Sequence, residues 1–363
     1  MIKTGLYNWH KINSANIVSY AGYLLPVYYS SIVNEHNSVR KNAGLFDVSH
    51  MGEFFITGEN AERFVQLVTI NDVSKLSTGK AQYTAMCDHN GGIIDDVIVY
   101  KLNKGFMMVV NSANIKKDFE WLNSNTKRGV KLDNKSDEIG LISIQGPKSR
   151  LILQKLINTD ISNLLFYHFI ENIEIGGHSA MLSRTGYTGE LGFEIYVSLE
   201  SIELLWEKLI SVGKMDGLIP AGLGCRDTLR LEMNYLLYGN DINQKINPIE
   251  AGLEKFIRLN KSDFIGKDSI IDAKQNYNNV LSSFLMIEKG IPRNGFQLFC
   301  KDQSIGHVTS GTMSPTLGKG IGQCLINRDY SKIGNEIEID IRGKLKSATI
   351  VKPPFYKTGS LLS

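Results

Sequence analysis

Two adjacent carboxylates, Asp95 and Asp96, sit near the start of the stretch Asn90-Gly91-Gly92-Ile93-Ile94-Asp95-Asp96-Val97-Ile98-Val99-Tyr100. A turn signal running into β-branched residues predicts a hairpin strand. Successive strand side chains face opposite sides, so Asp96 shares a face with Ile98 and Tyr100 while Asp95 lies with Val97 and Val99. Only one of the two can point into a given pocket, and Asp96 is the candidate. A carboxylate fixed beside a reacting carbon stabilises developing positive charge and relays a proton. Taken alone, this strand also fits a solvated acidic pair at its entrance.

Two other stretches carry chemistry-bearing residues. Ser183-Arg184-Thr185-Gly186-Tyr187-Thr188-Gly189-Glu190-Leu191-Gly192-Phe193-Glu194 places glycine at every third position, a spacing neither helix nor strand needs. Such a loop is shaped by its backbone and suits close approach to a ligand. It is not a dinucleotide fingerprint, because the glycine spacing differs and no strand-to-helix phosphate turn follows. Pro220-Ala221-Gly222-Leu223-Gly224-Cys225-Arg226-Asp227-Thr228-Leu229-Arg230-Leu231-Glu232 reads as a glycine-rich entry into a helix. Its arginines and acids also fit a plain ion-paired helix face. His50 reads as a structural hydrogen-bonder.

The elements that must position these residues follow from periodicity. Ile32, Val33, His36 and Val39 mark a helix expected to end at Gly44 in a left-handed cap. Glu53 to Thr57 reads as a strand, Ala61 to Thr69 as a helix capped by Asn60, and Gln82 to Cys87 as a strand. Phe106 to Val110 pairs with the opening stretch, and Asn111 caps the helix that follows. Leu141 to Gln145 forms another strand. This is a strand-rich sheet with helices on one side, not a regular βαβ series. Beyond about residue 280, short strands such as Ser283 to Ile287, Phe296 to Cys300 and Ile305 to Thr309 predict a small β-barrel or sandwich. The alternating Glu336-Ile337-Glu338-Ile339-Asp340-Ile341 gives one apolar and one acidic face. Gly318-Lys319 lacks the spacing of a phosphate loop.

The totals narrow the function classes. A chain of 363 residues exceeds one ordinary core. Net charge of +3, with acids and bases both plentiful, leaves no electrostatic footprint for nucleic acid. Cys87, Cys225, Cys300 and Cys324 are scattered, which fits reduced thiols rather than a zinc or redox motif. The seven histidines include no metal-binding pair, so no metal is expected. No signal peptide, transit peptide or membrane-length apolar run is legible, so a cytoplasmic protein off the membrane is expected.

Six segments, taken together and in order, resemble the aminomethyltransferase (T-protein) of the glycine cleavage system. They are Phe46-Asp47-Val48-Ser49-His50-Met51-Gly52, Gly91-Gly92-Ile93-Ile94-Asp95-Asp96, Gln145-Gly146-Pro147, Arg184 to Glu190, Pro220 to Asp227, and Thr309-Ser310-Gly311-Thr312-Met313-Ser314-Pro315. The resemblance implies an α+β fold in which two interleaved lobes, residues 1–275, and a C-terminal β-barrel, residues 280–357, form a three-lobed ring around a central folate site. It implies transfer of an aminomethyl carbon from the lipoyl arm of a carrier protein, the H-protein, to tetrahydrofolate, giving 5,10-methylenetetrahydrofolate and ammonia without a metal. Asp96 matches the family's catalytic aspartate, Glu194 its pterin-binding glutamate and Arg226 its ligand-binding arginine. Tyr83, Tyr100, Asn111, Tyr167 and Tyr187 match the folate pocket, with Met51 as wall and Tyr356 as a looser match. Tyr23 stands where tryptophan is common, and Leu24-Leu25 replaces a more polar pair; both bear on packing or carrier docking. A folate-dependent demethylase of the same fold, and a non-enzymatic folate binder linked to RNA modification or iron–sulfur assembly, are the alternatives. Length leaves no room for an appended flavin domain.

Overall fold

The structure, a computed structural model, describes residues 1–362. Two larger sheets and a barrel make three lobes, and a small three-stranded sheet runs Ile2–Lys3, Tyr23–Tyr28, Asn16–Tyr20. A five-stranded sheet runs in the order Ala81–Cys87, Ile93–Lys101, Phe106–Val110, Gly52–Thr57, Lys131–Asn134. A six-stranded sheet runs Phe169–Ile175, His178–Ser183, Gly192–Ser198, Ile139–Gln145, Ala43–Asp47, Leu218–Pro220, with only the last pair parallel. Ala43–Asp47 belongs to the second sheet yet precedes every strand of the first, so the two lobes interleave along the chain.

Alternation along Ile93–Lys101 sorts its side chains as the period-2 pattern requires. Val97 and Val99 enter a helix-covered core with Phe54, Phe64 and Leu122. Ile98 and Tyr100 turn the other way, toward Phe46, Met107 and Tyr196 in the layer between the sheets. Asp95 is therefore fully buried on the helix side, and Asp96 is half-buried on the inter-sheet side.

The barrel closes as Asn279–Met286, Lys319–Asn327, Gln303–Ser314, Gln297–Cys300, Glu336–Asp340, Leu345–Val351. Ile337 and Ile339 fill its interior, as their alternation with acids requires. Helix Leu223–Glu232 fastens it to the other lobes. Arg230 donates to Asp227 and Asp241 at 2.8 Å and to Ser310 Oγ at 2.8 Å. Glu232 accepts from Ser314 Oγ at 2.5 Å, from Thr316 Oγ1 at 2.8 Å and from Arg40 at 2.8 Å.

Two expectations fail on local geometry. Helix Ile32–Lys41 ends at Asn42, and Gly44 lies inside the next strand, where a Cβ would collide with Val39. Glycine there serves close packing, not a left-handed cap. Asn111 makes no capping bond with its side chain, and Asn114 is the N-cap of helix Ile115–Asn125. The Asn111 amide is turned instead toward the aspartate pair.

Candidate functional site

Asp96 is held by two donors. The Tyr83 hydroxyl donates to its Oδ2 at 3.0 Å, and Asn111 Nδ2 donates to its Oδ1 at 2.9 Å. Asp95 accepts from Asn111 N at 2.9 Å, from Asn111 Nδ2 at 2.8 Å and from Asn114 Nδ2 at 2.7 Å. Burial, and then the charge of Asp95, push the Asp96 carboxyl up to about 7. A group that changes protonation near neutrality serves as acid and as base in one cycle.

Glu194 lies across the inter-sheet layer, on strand Gly192–Ser198. Burial pushes its carboxyl upward, while a hydrogen bond from Thr185 Oγ1 and the charge of Arg226 oppose that rise. Thr185 Oγ1 in turn lies 3.4 Å from the Tyr100 hydroxyl, which is 3.0 Å from that of Tyr196. Tyr100 has no exposed surface, so it stands behind Glu194 as support and not at the surface of the pocket.

Arg226 is half-buried, and its side chain makes no hydrogen bond or ion pair among the described residues. Its guanidinium lies 4.7 Å from the centre of the Tyr187 ring. Tyr187 stacks on Tyr235 at 5.6 Å and 23°, and its hydroxyl donates to the Leu236 carbonyl. The Tyr83 ring meets Phe256 edge-on at 4.8 Å. Tyr167 adopts φ +60°, an uncommon conformation for a tyrosine. Its backbone ties the sheets together: Ala81 N donates to Tyr167 O at 2.8 Å, and Tyr167 N donates to Arg184 O at 3.0 Å. The charge of Asp96 acts on Tyr83, Tyr167 and Tyr187 alike, and the charge of Glu194 on Tyr100 and Tyr167. Asp96 therefore lies within electrostatic reach of Tyr83, Tyr167 and Tyr187, and Glu194 within reach of Tyr100, Tyr167 and Arg226.

Met51 is half-buried and packs on the Phe46 and Val48 cluster. The Tyr356 ring lies 3.9 Å from the Arg40 guanidinium. His50 meets the rings of Tyr20 and Tyr23 at 5.8 and 6.3 Å. Burial first, then Arg226, push it down to about 4, so it is neutral at pH 7. Tyr23 and Leu25 are both buried, which fits a packing role at this end.

Thr185, Tyr196 and Tyr235 went unremarked in the sequence, as did the buried Glu53, whose carboxyl is pushed well up by burial and then by the charge of Glu194. Thr185 sits two residues before Tyr187 in the glycine loop, which was the available signal. Tyr196, Tyr235 and Glu53 carried none.

The arrangement gathers tyrosine rings, a buried carboxyl at Glu194, a guanidinium without an ion-pair partner and a second carboxyl poised near neutrality. The family model for the GCVT N-terminal domain matches residues 6–261. That for the glycine cleavage T-protein C-terminal barrel domain matches residues 280–357. The chain belongs to the glycine cleavage T-protein family. An aminomethyltransferase of Natranaerobius thermophilus is 48% identical over 360 residues, covering 98% of this chain and 99% of that protein. One of Bacillus subtilis is 45% identical over 358 residues, with coverage of 98% and 99%. The crystal structure of glycine cleavage system aminomethyltransferase T from Bartonella henselae superposes with a TM-score of 0.92 at 28% identity, covering 99% of each chain. The α+β lobes and the six-stranded barrel are thus those of the T-protein family. No helix among the described residues is long and apolar enough to cross a membrane.

Proposed function

We infer that this chain is an aminomethyltransferase of the glycine cleavage reaction, with tetrahydrofolate as co-substrate and a lipoylated carrier, the H-protein, as donor. The aminomethyl carbon leaves its sulfur and its amino nitrogen and forms two bonds to folate nitrogens. The two N–H protons displaced there end on ammonia and on the thiol, so the exchange balances without an oxidant.

Tetrahydrofolate supplies the nucleophilic nitrogens; the protein supplies position and charge. Asp96 is the catalytic residue: its carboxylate offsets the positive charge that develops on the methylene carbon and takes or returns a proton. Tyr83 and Asn111 aim that carboxylate by donating to separate oxygens. Glu194 accepts the paired N–H groups of the pterin, with Thr185 and Tyr100 bracing it. Arg226, stacked over the Tyr187 ring and without an ion-pair partner, balances the charge of Glu194 or meets an anionic part of the folate. Tyr167, Tyr187 and Met51 form the walls.

The observation that carries this reading is the Asp96 carboxyl held by two aimed donors, Tyr83 and Asn111, together with Glu194 on the other sheet within reach of the Arg226 charge. The purified protein, given tetrahydrofolate and aminomethylated lipoyl carrier, should form methylenetetrahydrofolate and ammonia. Consumption of an N-methyl donor with no reaction of the carrier would overturn the assignment in favour of a demethylase.

A further inference from the structure

Past the barrel's last strand, Leu345–Val351, the chain leaves the barrel and returns to the glycine-rich connection between strands His178–Ser183 and Gly192–Ser198. Tyr356 N donates at 3.0 Å to the carbonyl of Glu232, at the end of helix Leu223–Glu232, and the Tyr356 ring faces Arg40. Ser360 then meets the connection directly. Its N and Oγ both donate to Glu190 Oε2, at 2.8 and 2.6 Å, and its Oγ accepts from Leu191 N at 3.0 Å. The Leu361 carbonyl accepts from Arg184 Nη2 at 3.1 Å. Gly359 packs so closely on the Gly189 carbonyl that a Cβ there would collide with it.

The tail thus holds both ends of the connection, residue 184 on one side and residues 189–191 on the other. Between those holds lie Thr185, whose Oγ1 donates to Glu194, and Tyr187, whose ring carries Arg226. A serine hydroxyl donates and accepts at once, and both capacities are used here. Glu190 is 2% exposed, and its other oxygen accepts from Arg40 Nη1 at 2.9 Å. Leu191 is buried as well, so removing the Ser360 hydroxyl strips a buried N–H of its acceptor. We propose that Ser360 is a positioning residue for the folate wall: its hydroxyl clasps Glu190 to Leu191 and so holds the 184–191 connection in the shape that sets Thr185 against Glu194 and Tyr187 beneath Arg226.

The clasp bears on one side of the site. Asp96, Tyr83 and Asn111 are carried by the five-stranded sheet and the segment leaving it, whereas the connection joins two strands of the six-stranded sheet. Gln145 braces the same connection from within, donating to the Thr185 carbonyl at 3.2 Å and accepting from Thr188 Oγ1 at 2.9 Å. Loss of the clasp therefore loosens the connection without releasing it, weakens folate binding and spares the chemical step at Asp96. A tail that merely fastened the barrel would behave otherwise: its loss would lower stability and leave the folate affinity of the folded protein unchanged.

The inference rests on the folate site proposed above, yet its first test does not. In hydrogen exchange of the intact protein the Leu191 amide should be protected, and Ser360→Ala should speed its exchange about tenfold or more. The second test is steady-state turnover with saturating aminomethylated carrier. Ser360→Ala should raise KM for tetrahydrofolate about fivefold with kcat within about twofold. Ser360→Thr, which keeps the hydroxyl, should restore both the exchange rate and KM. An unprotected Leu191 amide in the wild type, a threonine variant no better than the alanine variant, or a lowered urea midpoint with unchanged KM would each overturn the proposal. If the alanine variant does not fold, the wild-type exchange and the threonine variant still decide. A wild-type protein with a protected Leu191 amide and no affinity for tetrahydrofolate would instead overturn the assigned reaction, and the role of the clasp with it.

Discussion

Asp95 and Asp96 are bound by one amide: Asn111 Nδ2 lies 2.8 Å from Asp95 Oδ1 and 2.9 Å from Asp96 Oδ1. Strand geometry sends the two side chains to opposite faces, and a single donor at the strand's edge couples them. Burial first and then the Asp95 charge favour the protonated form of Asp96, while the hydrogen bonds from Tyr83 and Asn111 oppose that rise.

A midpoint of about 7 for Asp96 predicts an acid limb in kcat/KM. Activity should rise as pH increases through about 7, where the free enzyme loses that proton, and the limb should disappear in Asp96→Asn. The check is kcat/KM for tetrahydrofolate from pH 5.5 to 8.5. A flat wild-type profile would remove Asp96 as the titrating group.

Arg226 and Arg230 lie one helical turn apart and separate binding from stability. Arg226 has no hydrogen-bond or ion-pair partner and loses only its contact with the Tyr187 ring, so Arg226→Ala should cost no more than about 1 kcal/mol of stability while weakening folate binding at least tenfold. Arg230 is 2% exposed and joins Asp227, Asp241 and Ser310. Arg230→Met should cost about 3 kcal/mol or more, because it strands the fully buried Asp241 without its cation. Urea midpoints and folate titration of both variants check this contrast.

Glu232 ties His36 and Arg40 to the barrel residues Ser314 and Thr316. Burial opposes its ionisation, but hydrogen bonding and charge from His36, then Arg40 and Ser314, hold it down to about 2 against a reference of 4.5. A lowered value means stability present above about 4.5 and lost as pH falls toward 2. Wild-type unfolding free energy should drop through that window, and Glu232→Gln should be less stable at pH 7 and flatter below 4.5. Parallel curves for the two proteins would contradict this.

Gly186 and Gly192 both face the Gln145 side chain, and a Cβ on Gly186 would come within 2.1 Å of Gln145 Oε1. Gln145 is buried and braces the loop through Ser143, Thr185 and Thr188. Gly186→Ala should therefore cost about 1–3 kcal/mol and weaken folate binding through Thr185 and Tyr187. Unchanged folate affinity in this variant would separate the loop from the site.

Much of this was legible in sequence wherever the controlling interaction is local. Period-2 alternation told Asp96 from Asp95 and found the barrel strand Glu336–Asp340, and glycine spacing flagged the loop before Glu194. What escaped depends on partners far along the chain. Whether Arg226 or Arg230 is ion-paired is decided by Asp241 and Ser310, which helix spacing does not reveal. Glycine after a helix reads as a cap, yet Gly44 is small because Val39 packs over it. Tyr100 matched the pocket by position, but the closure of two interleaved sheets places it one layer behind.

The most direct test of the central claim is the turnover of Asp96→Asn with aminomethylated lipoyl carrier and tetrahydrofolate, measured beside its folate affinity. We expect turnover to fall by orders of magnitude while affinity stays within several-fold. A variant that turns over at the wild-type rate would contradict the assignment of Asp96 as the catalytic acid.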